Sequence, residues 1–161
     1  MDIKSTDGAV LRTIEADSLV EADFYKMDLA GADFSGQDLA RTRFYGCNLR
    51  GASFEGANCY KCDFQVADLT GANLRNSNLT WCNLLSTNFY DADLTGANLE
   101  WAHVKGTRYS KATKFPKGFK PGDLETRLLS QNQEPPETLE PAPPEEEKPK
   151  AAAAATKASD D

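Results

Sequence analysis

The sequence predicts an all-β protein, a four-sided parallel β-helix over residues 19–111 with a disordered C-terminal tail. Three observations support this prediction. Leu or Phe recurs at almost every fifth residue, Asp or Asn usually precedes it, and Gly31, Gly51 and Gly71 recur at every fourth repeat. A period of five fits neither a helix nor a long alternating strand, because an apolar stripe with that spacing would wander around either element.

The repeat has the form A-(D/N)-(L/F)-x-x, and Leu or Phe occupies 15 of its 18 central positions. The central residues are Phe24, Leu29, Phe34, Leu39, Phe44, Leu49, Phe54, Cys59, Phe64, Leu69, Leu74, Leu79, Leu84, Phe89, Leu94, Leu99, Val104 and Tyr109. Two residues before each centre stands a small side chain, with Met27 and Gln37 as the large exceptions.

Each repeat turns the chain once. The small and central residues are two apart and point to the same side, as in a strand, while the residues after the centre form the turn. Four repeats close one coil, as the spacing of the glycines indicates. Backbone hydrogen bonds then stack successive coils about 4.8 Å apart, with large and small inward side chains interdigitating.

These residues resemble the pentapeptide-repeat family, and the resemblance covers residues 19–111. It implies a right-handed quadrilateral β-helix. Residues 113–119 also resemble a sequence that often follows such repeats. The best-understood branch of the family mimics DNA and modulates type II topoisomerases, so the resemblance specifies the fold much better than the function.

The ends of the chain depart from the repeat. An open solenoid edge needs a cap, and residues 1–18 are interpreted as an N-terminal cap in which Val10, Arg12 and Ile14 alternate as in a strand. Residues 112–129 are interpreted as a C-terminal cap, with Phe115 and Phe119 covering the last coil. Residues 130–161 are rich in Pro, Glu and Ala, a composition that predicts disorder.

The charge pattern argues against a nucleic-acid-binding surface. The net charge is −7, and Lys and Arg are scattered, whereas a nucleic-acid binder clusters them to displace phosphate counterions. No secretory signal follows Met1, and no run approaches the ~18 apolar residues of a membrane span. We therefore expect a cytoplasmic protein with no membrane span and no direct nucleic-acid binding.

The sequence predicts no catalytic residues, no metal site and no cofactor. Cys59 and Cys62 form a C-x-x-C, and Cys47 and Cys82 complete the residue types of a four-thiolate zinc site. Their register, however, places all four in a packed interior on different sides of the coil. His103, the only histidine, occupies an outward position, so no Cys–His or Ser–His pair is expected. We expect that the protein is not an enzyme.

The outward positions predict one unusual side, because both tryptophans fall in a single external column. The predicted binding face consists of Trp81, Trp101, Tyr45, Leu85, Arg41 and Lys61. Exposed aromatic residues beside Arg are enriched at protein interfaces. The alternative interpretation is that the two indoles only stack on one another as a structural ladder.

The expected function is a non-catalytic protein–protein interaction module or scaffold with a protein partner that the sequence does not identify. The alternative is a DNA-mimic modulator of a type II topoisomerase such as gyrase. Mimicry requires a strongly anionic rod, but residues 21–111 contain 11 acidic and 9 basic residues. The resulting field is weak. The oligomeric state is not specified by the sequence.

Overall fold

In this computed structural model the chain is described over residues 1–119. The named strands of that part are β1 (Asp2–Lys4) and β2 (Val10–Thr13). The remaining β structure consists of single bridging residues, one for each repeat. The expected disordered tail, residues 130–161, and residues 120–129 of the expected cap lie outside the described residues.

The repeats form a right-handed quadrilateral β-helix, as predicted. Parallel bridges join residues four repeats apart, from Asp23 with Arg43 up to Asn88 with Arg108. The Asn48 N–H donates to the Met27 carbonyl at 3.0 Å, and the Leu49 N–H donates to the Asp68 carbonyl at 2.8 Å. Each coil therefore binds the coil before it and the coil after it.

We number the four sides by their central residues. Side 1 carries Phe24, Phe44, Phe64, Leu84 and Val104; side 2 carries Leu29, Leu49, Leu69, Phe89 and Tyr109; side 3 carries Phe34, Phe54, Leu74 and Leu94; side 4 carries Leu39, Cys59, Leu79 and Leu99. Most of these side chains are fully buried. In the first coils the core is aromatic: Phe44 stacks on Phe64 at 5.0 Å, and Phe34 stacks on Phe54 at 5.1 Å. Leu takes over in the later coils.

The Asp or Asn before each centre satisfies backbone groups. Asp63 Oδ1 accepts a hydrogen bond from the Gln65 N–H at 3.0 Å, and the same contact recurs around the coils. Side-chain amides also join coils, since Asn58 Nδ2 donates to Asp38 Oδ1 at 2.8 Å. These residues therefore support turns and coil stacking, as the sequence indicates.

An antiparallel hairpin precedes the first coil. In this hairpin Asp2 pairs with Thr13, and Ile3 pairs with Arg12. The Asp33 N–H donates to the Lys4 carbonyl at 2.7 Å, and this hydrogen bond joins the hairpin to side 3. Ile3 and Ile14 are buried against the core. Strand β2 lies where the alternating residues indicate a strand. Sequence reasoning missed β1, because Ile3 is a single apolar residue without a repeat.

The coil lengthens by one residue at its C-terminal end. Asp93 bridges Lys114, a step one residue longer than every earlier parallel bridge in the described chain, and the Leu94 N–H donates to the Lys114 carbonyl. Phe115 thereby takes the next central position on side 3 and packs against the core. The Phe119 ring stacks on Phe115 at 5.2 Å. Within residues 1–119, no helix has the length and apolarity needed to cross a membrane.

Candidate binding face

The corner that begins side 1 contains no glycine within residues 1–119, whereas each of the other three corner columns contains glycines, and all four columns have positive φ. Every residue in the side 1 column has a positive φ between 57° and 62°. We call this column the Trp corner; it consists of Glu21, Arg41, Lys61, Trp81 and Trp101. The equivalent corner of side 3 contains three glycines and one aspartate, Gly31, Gly51, Gly71 and Asp91.

The positive φ follows from the turn. The Cys82 N–H donates to the Leu79 carbonyl at 3.2 Å, which makes Trp81 the third residue of a four-residue turn, and φ there is 62°. A type II turn requires a left-handed residue at this position, and glycine is preferred. A non-glycine residue costs roughly 1–2 kcal/mol in that conformation. Large side chains thus occupy the Trp corner against the local backbone preference.

The two indoles stack in parallel. Their ring centroids are 5.3 Å apart, and the planes meet at 10°. Trp101 is 40% exposed, and Trp81 is half-buried beneath it. Neither indole N–H has a hydrogen-bond partner within residues 1–119. The stack therefore offers an apolar edge and two N–H donors to a ligand.

Leu85 and Tyr45 lie along the other edge of side 1, four residues after the corner positions. Tyr45 does not extend the tryptophan stack. It stacks instead on Tyr25, with centroids 5.3 Å apart and planes at 16°. The aromatic residues of this side therefore form two separate stacks, Tyr25 with Tyr45 in the first coils and Trp81 with Trp101 in the last coils. Half-buried Leu85 lies in the same coil as Trp81.

Sequence reasoning missed Tyr25 and Tyr60. The Arg43 guanidinium lies 4.6 Å from the centroid of the Tyr25 ring, and the Lys61 ammonium lies 5.5 Å from that of Tyr60. Tyr25 stands one coil before Tyr45, so the rule that found the tryptophans was sufficient to find it. Tyr60 directly precedes a corner position and could not be assigned to side 1 by register alone.

The charges of side 1 are unevenly distributed along its length. In the first coils Arg41 pairs with Glu21 at 2.9 Å, and Arg43 pairs with Asp23 at 3.1 Å. The Arg41–Glu21 pair is exposed and contributes little to stability. In the next coil burial raises the pKa of the Asp63 carboxyl. Lys61 and Lys105 have no ion pair within residues 1–119.

The four cysteines are buried thiols. Cys82 Sγ donates to the Cys59 carbonyl at 2.8 Å, and Cys62 Sγ donates to the Leu39 carbonyl at 2.8 Å. Thr87 Oγ1 makes the equivalent bond to Phe64, so Cys here replaces a small hydroxyl residue. In the described part of the chain, no group of His, Cys, Asp or Glu has the arrangement of a metal site.

The model of the family described as pentapeptide repeats matches the chain in eight copies, over residues 18–56, 47–84, 62–100 and 72–108. The chain belongs to the pentapeptide-repeat family. No curated protein sequence matches it significantly.

Three solved structures are similar to this chain, and two of them are pentapeptide repeat proteins. A pentapeptide repeat protein from the thylakoid lumen of Arabidopsis thaliana is 24% identical, with a TM-score of 0.41, over 70% of this chain and 72% of its own. One from Nostoc PCC 7120 is 31% identical, with a TM-score of 0.32, over 61% and 77%. The plasmid-mediated fluoroquinolone resistance protein QnrB1 is 18% identical, with a TM-score of 0.37, over 66% and 70%.

Proposed function

We propose that the protein is a non-catalytic protein–protein interaction module, and that the Trp corner with the adjoining edge of side 1 binds its partner. The six residues of the proposed face are Trp81, Trp101, Tyr45, Leu85, Arg41 and Lys61. The observation that carries the proposal is the exposed parallel stack of Trp81 and Trp101 at a corner where glycine would be less strained.

Single non-glycine residues such as Val66 and Ser86 share this backbone strain at other corners, but only the Trp corner lacks glycine throughout residues 1–119, which supports a role for its side chains beyond the fold. Strained conformations persist where the surrounding structure enforces them, and they cluster at functional positions. An indole ladder stabilises the coil stack modestly, and the alternative interpretation assigns it that role alone. The two indole N–H groups have no partner within residues 1–119 and are not buried, so they are available to donate to a ligand.

The partner proposed is a protein with an apolar segment and an acidic rim. The stack supplies the apolar contact, and Lys61 and Lys105 supply cations without ion pairs within residues 1–119. Aromatic anchors at the centre of an interface contribute about 2 kcal/mol or more each. We propose a cytoplasmic location, which the buried thiols support, because thiols persist in a reducing compartment.

The DNA-mimic alternative is less well supported by the arrangement of the side chains. Phosphate mimicry needs continuous columns of carboxylates. Here the columns alternate: Asp28 is followed by Asn48, and then by Asp68, which is paired with Arg50 at 3.1 Å. On side 1, Asp23 is followed by its ion-pair partner Arg43.

Affinity capture with the intact protein and with a Trp81→Ala, Trp101→Ala variant tests the proposal. The variant keeps the same left-handed backbone strain, so we expect an unchanged melting temperature and loss of the captured partner. With about 2 kcal/mol for each anchor, one substitution alone should weaken binding roughly 30-fold.

Tyr90→Ala is the matched control, because Tyr90 is an exposed aromatic residue, 42% accessible, on side 2. It should retain the partner. Retention by the double tryptophan variant would refute the proposed face. Inhibition of gyrase supercoiling at both low and moderate salt, unaffected by the tryptophan substitutions, would favour the DNA-mimic alternative instead.

A further inference from the structure

Within residues 1–119, Trp101 stacks on one aromatic ring only and remains 40% exposed. That ring is the indole of Trp81. No other aromatic ring or cation of residues 1–119 contacts the indole. In the same coils the half-buried side chains of Asn83 and His103 lie between the Trp corner and the edge formed by Leu85 and Lys105. This region therefore combines two polar side chains with the indole stack on one side and the exposed Lys105 on the other.

The chain itself contains a segment of complementary chemistry. Residues 130–147 include five prolines and six glutamates and contain no Lys or Arg. Proline-rich sequences favour the extended polyproline II helix and dock on aromatic surfaces with little loss of conformational entropy. The prolines suit the indole stack, and the glutamates suit Arg41, Lys61 and Lys105.

The chain between Phe119 and Glu134 is long enough to bring residues 130–147 to the Trp corner. The described chain ends at Phe119 at the C-terminal end of the solenoid, beside the last coil, which also contains Trp101. Glu134, the first glutamate of the segment, lies 15 residues after Phe119. A flexible linker of that length has an r.m.s. span of roughly 20 Å, while three coil steps from Trp101 to Arg41 cover about 14 Å. Linkers that match the span between two sites give effective concentrations of the order of mM.

We infer that residues 130–147 dock in cis on the Trp corner and compete there with the partner. This inference rests on the proposed function only in taking the Trp corner as the binding face. The segment covers the Trp81–Trp101 stack, its carbonyl groups accept from the indole N–H donors, and its glutamates approach Lys61 and Lys105. A partner protein must displace it.

A nitroxide attached to a single introduced cysteine in the full-length chain tests the inference. The four native thiols are buried, so Glu140→Cys is the reactive position in the folded protein. Trp81→Phe and Trp101→Phe assign the two ¹⁵N indole resonances. In a dilute sample we expect both indole signals to lose most of their intensity, while the Gly71 amide at the opposite corner keeps its own.

Two control samples make the result specific. A labelled chain in which Pro135, Pro136, Pro141, Pro143 and Pro144 are replaced by Ala retains every charge and should restore the indole intensities. Labelled ¹⁴N protein mixed with unlabelled ¹⁵N protein should leave them unchanged. Unbroadened indoles in the first sample, or equal loss at Gly71, would overturn the inference. Comparable broadening in the mixed sample would also overturn it, because the occupant would then be the tail of a second copy.

Partner capture separates the two proposals. If docking is correct, the five-proline variant captures more partner than the parent protein. Broadened indoles with no partner captured by either protein would leave docking intact and count against the proposed function. Partner capture that depends on the tryptophans, with indoles that are not broadened, would support the proposed function and reject docking.

Discussion

Phe44 and Phe54 meet edge to face across the interior of the solenoid, with ring centroids 5.6 Å apart and planes at 90°. Each ring also stacks on its equivalents in the coils before or after it, so the aromatic core connects sides 1 and 3 as well as successive coils. The first three coils are therefore packed by rings that contact one another both along and across the axis.

Truncation of this core should strongly destabilise the fold. Phe44→Ala removes a fully buried ring, and we expect it to lower the free energy of unfolding by about 3–5 kcal/mol, the usual range for Phe→Ala in a core. Phe44→Leu should cost much less, because Leu84 occupies the same column two coils later. Denaturant unfolding measures both. Equal losses of unfolding free energy in the two variants would contradict the view that the filled side-chain volume determines the stability of the core.

At the left-handed corner positions, replacing a glycine should destabilise the protein, whereas introducing a glycine should not. Gly51 has φ 65°, and an added Cβ would meet no atom within 4 Å, so Gly51→Ala should cost only the conformational strain of roughly 1–2 kcal/mol. Gly96→Ala should cost more, since its Cβ would also clash with the Asn76 side chain. Arg41→Gly should not lower the melting temperature, because it removes strain and only an exposed ion pair. A large loss for Arg41→Gly would show that the pair with Glu21 is important.

Asp93 should contribute stability that depends on acid pH. Hydrogen bonds from Thr95 and the nearby Lys114 lower the pKa of the Asp93 carboxyl to about 2. A folded-state pKa below the unfolded value stabilises the protein above pH ~4, and this contribution is lost as the pH falls towards 2. Asp93→Asn should be less stable than the parent at pH 7 and similar to it at pH 2. Melting temperatures across this range measure the difference.

Asp63 should contribute to stability with the opposite pH dependence and serves as the control for Asp93. Burial raises the pKa of its carboxyl, so the stability associated with its protonated form is lost as the pH rises through the folded pKa. Asp63→Asn keeps an acceptor for the Gln65 N–H and should be at least as stable as the parent at pH 7. A clear loss at pH 7 would show that the charge of Asp63 is needed.

The cysteines should be unreactive in the folded protein. Burial raises the pKa of the Cys47 thiol to about 12 and holds those of Cys62 and Cys82 well above the ordinary value. Because the thiolate is the reactive form, alkylation at pH 8 should label none of the four before unfolding. Denatured protein without reductant should show four labels by mass spectrometry. Fewer labels after unfolding would indicate a disulfide or a bound metal.

Register arithmetic was sufficient for part of the candidate face. Trp81 and Trp101 are four repeats apart, and because four repeats make one coil, their stacking follows from sequence. The same arithmetic predicts the stack of Tyr25 on Tyr45, which are also four repeats apart. The left-handed backbone at Trp81 and Trp101 was not predicted, since most residues at the other turn positions of this kind are glycine, and a non-glycine residue gives no sign of positive φ.

The sequence by itself determined the coil, the four sides and the buried core, because the same small and large inward residues recur in every repeat and each repeat specifies its own turn. The tertiary structure alone decided features that occur once. Strand β1 pairs with β2 and Lys4 binds Asp33 only after the first coil exists, and the extra residue before Lys114 appears only in the bridge to Asp93. Contacts of outward side chains also depend on neighbours in the adjacent coils. Repetition therefore makes the interior predictable, whereas the ends and the surface depend on single long-range contacts that no local pattern encodes.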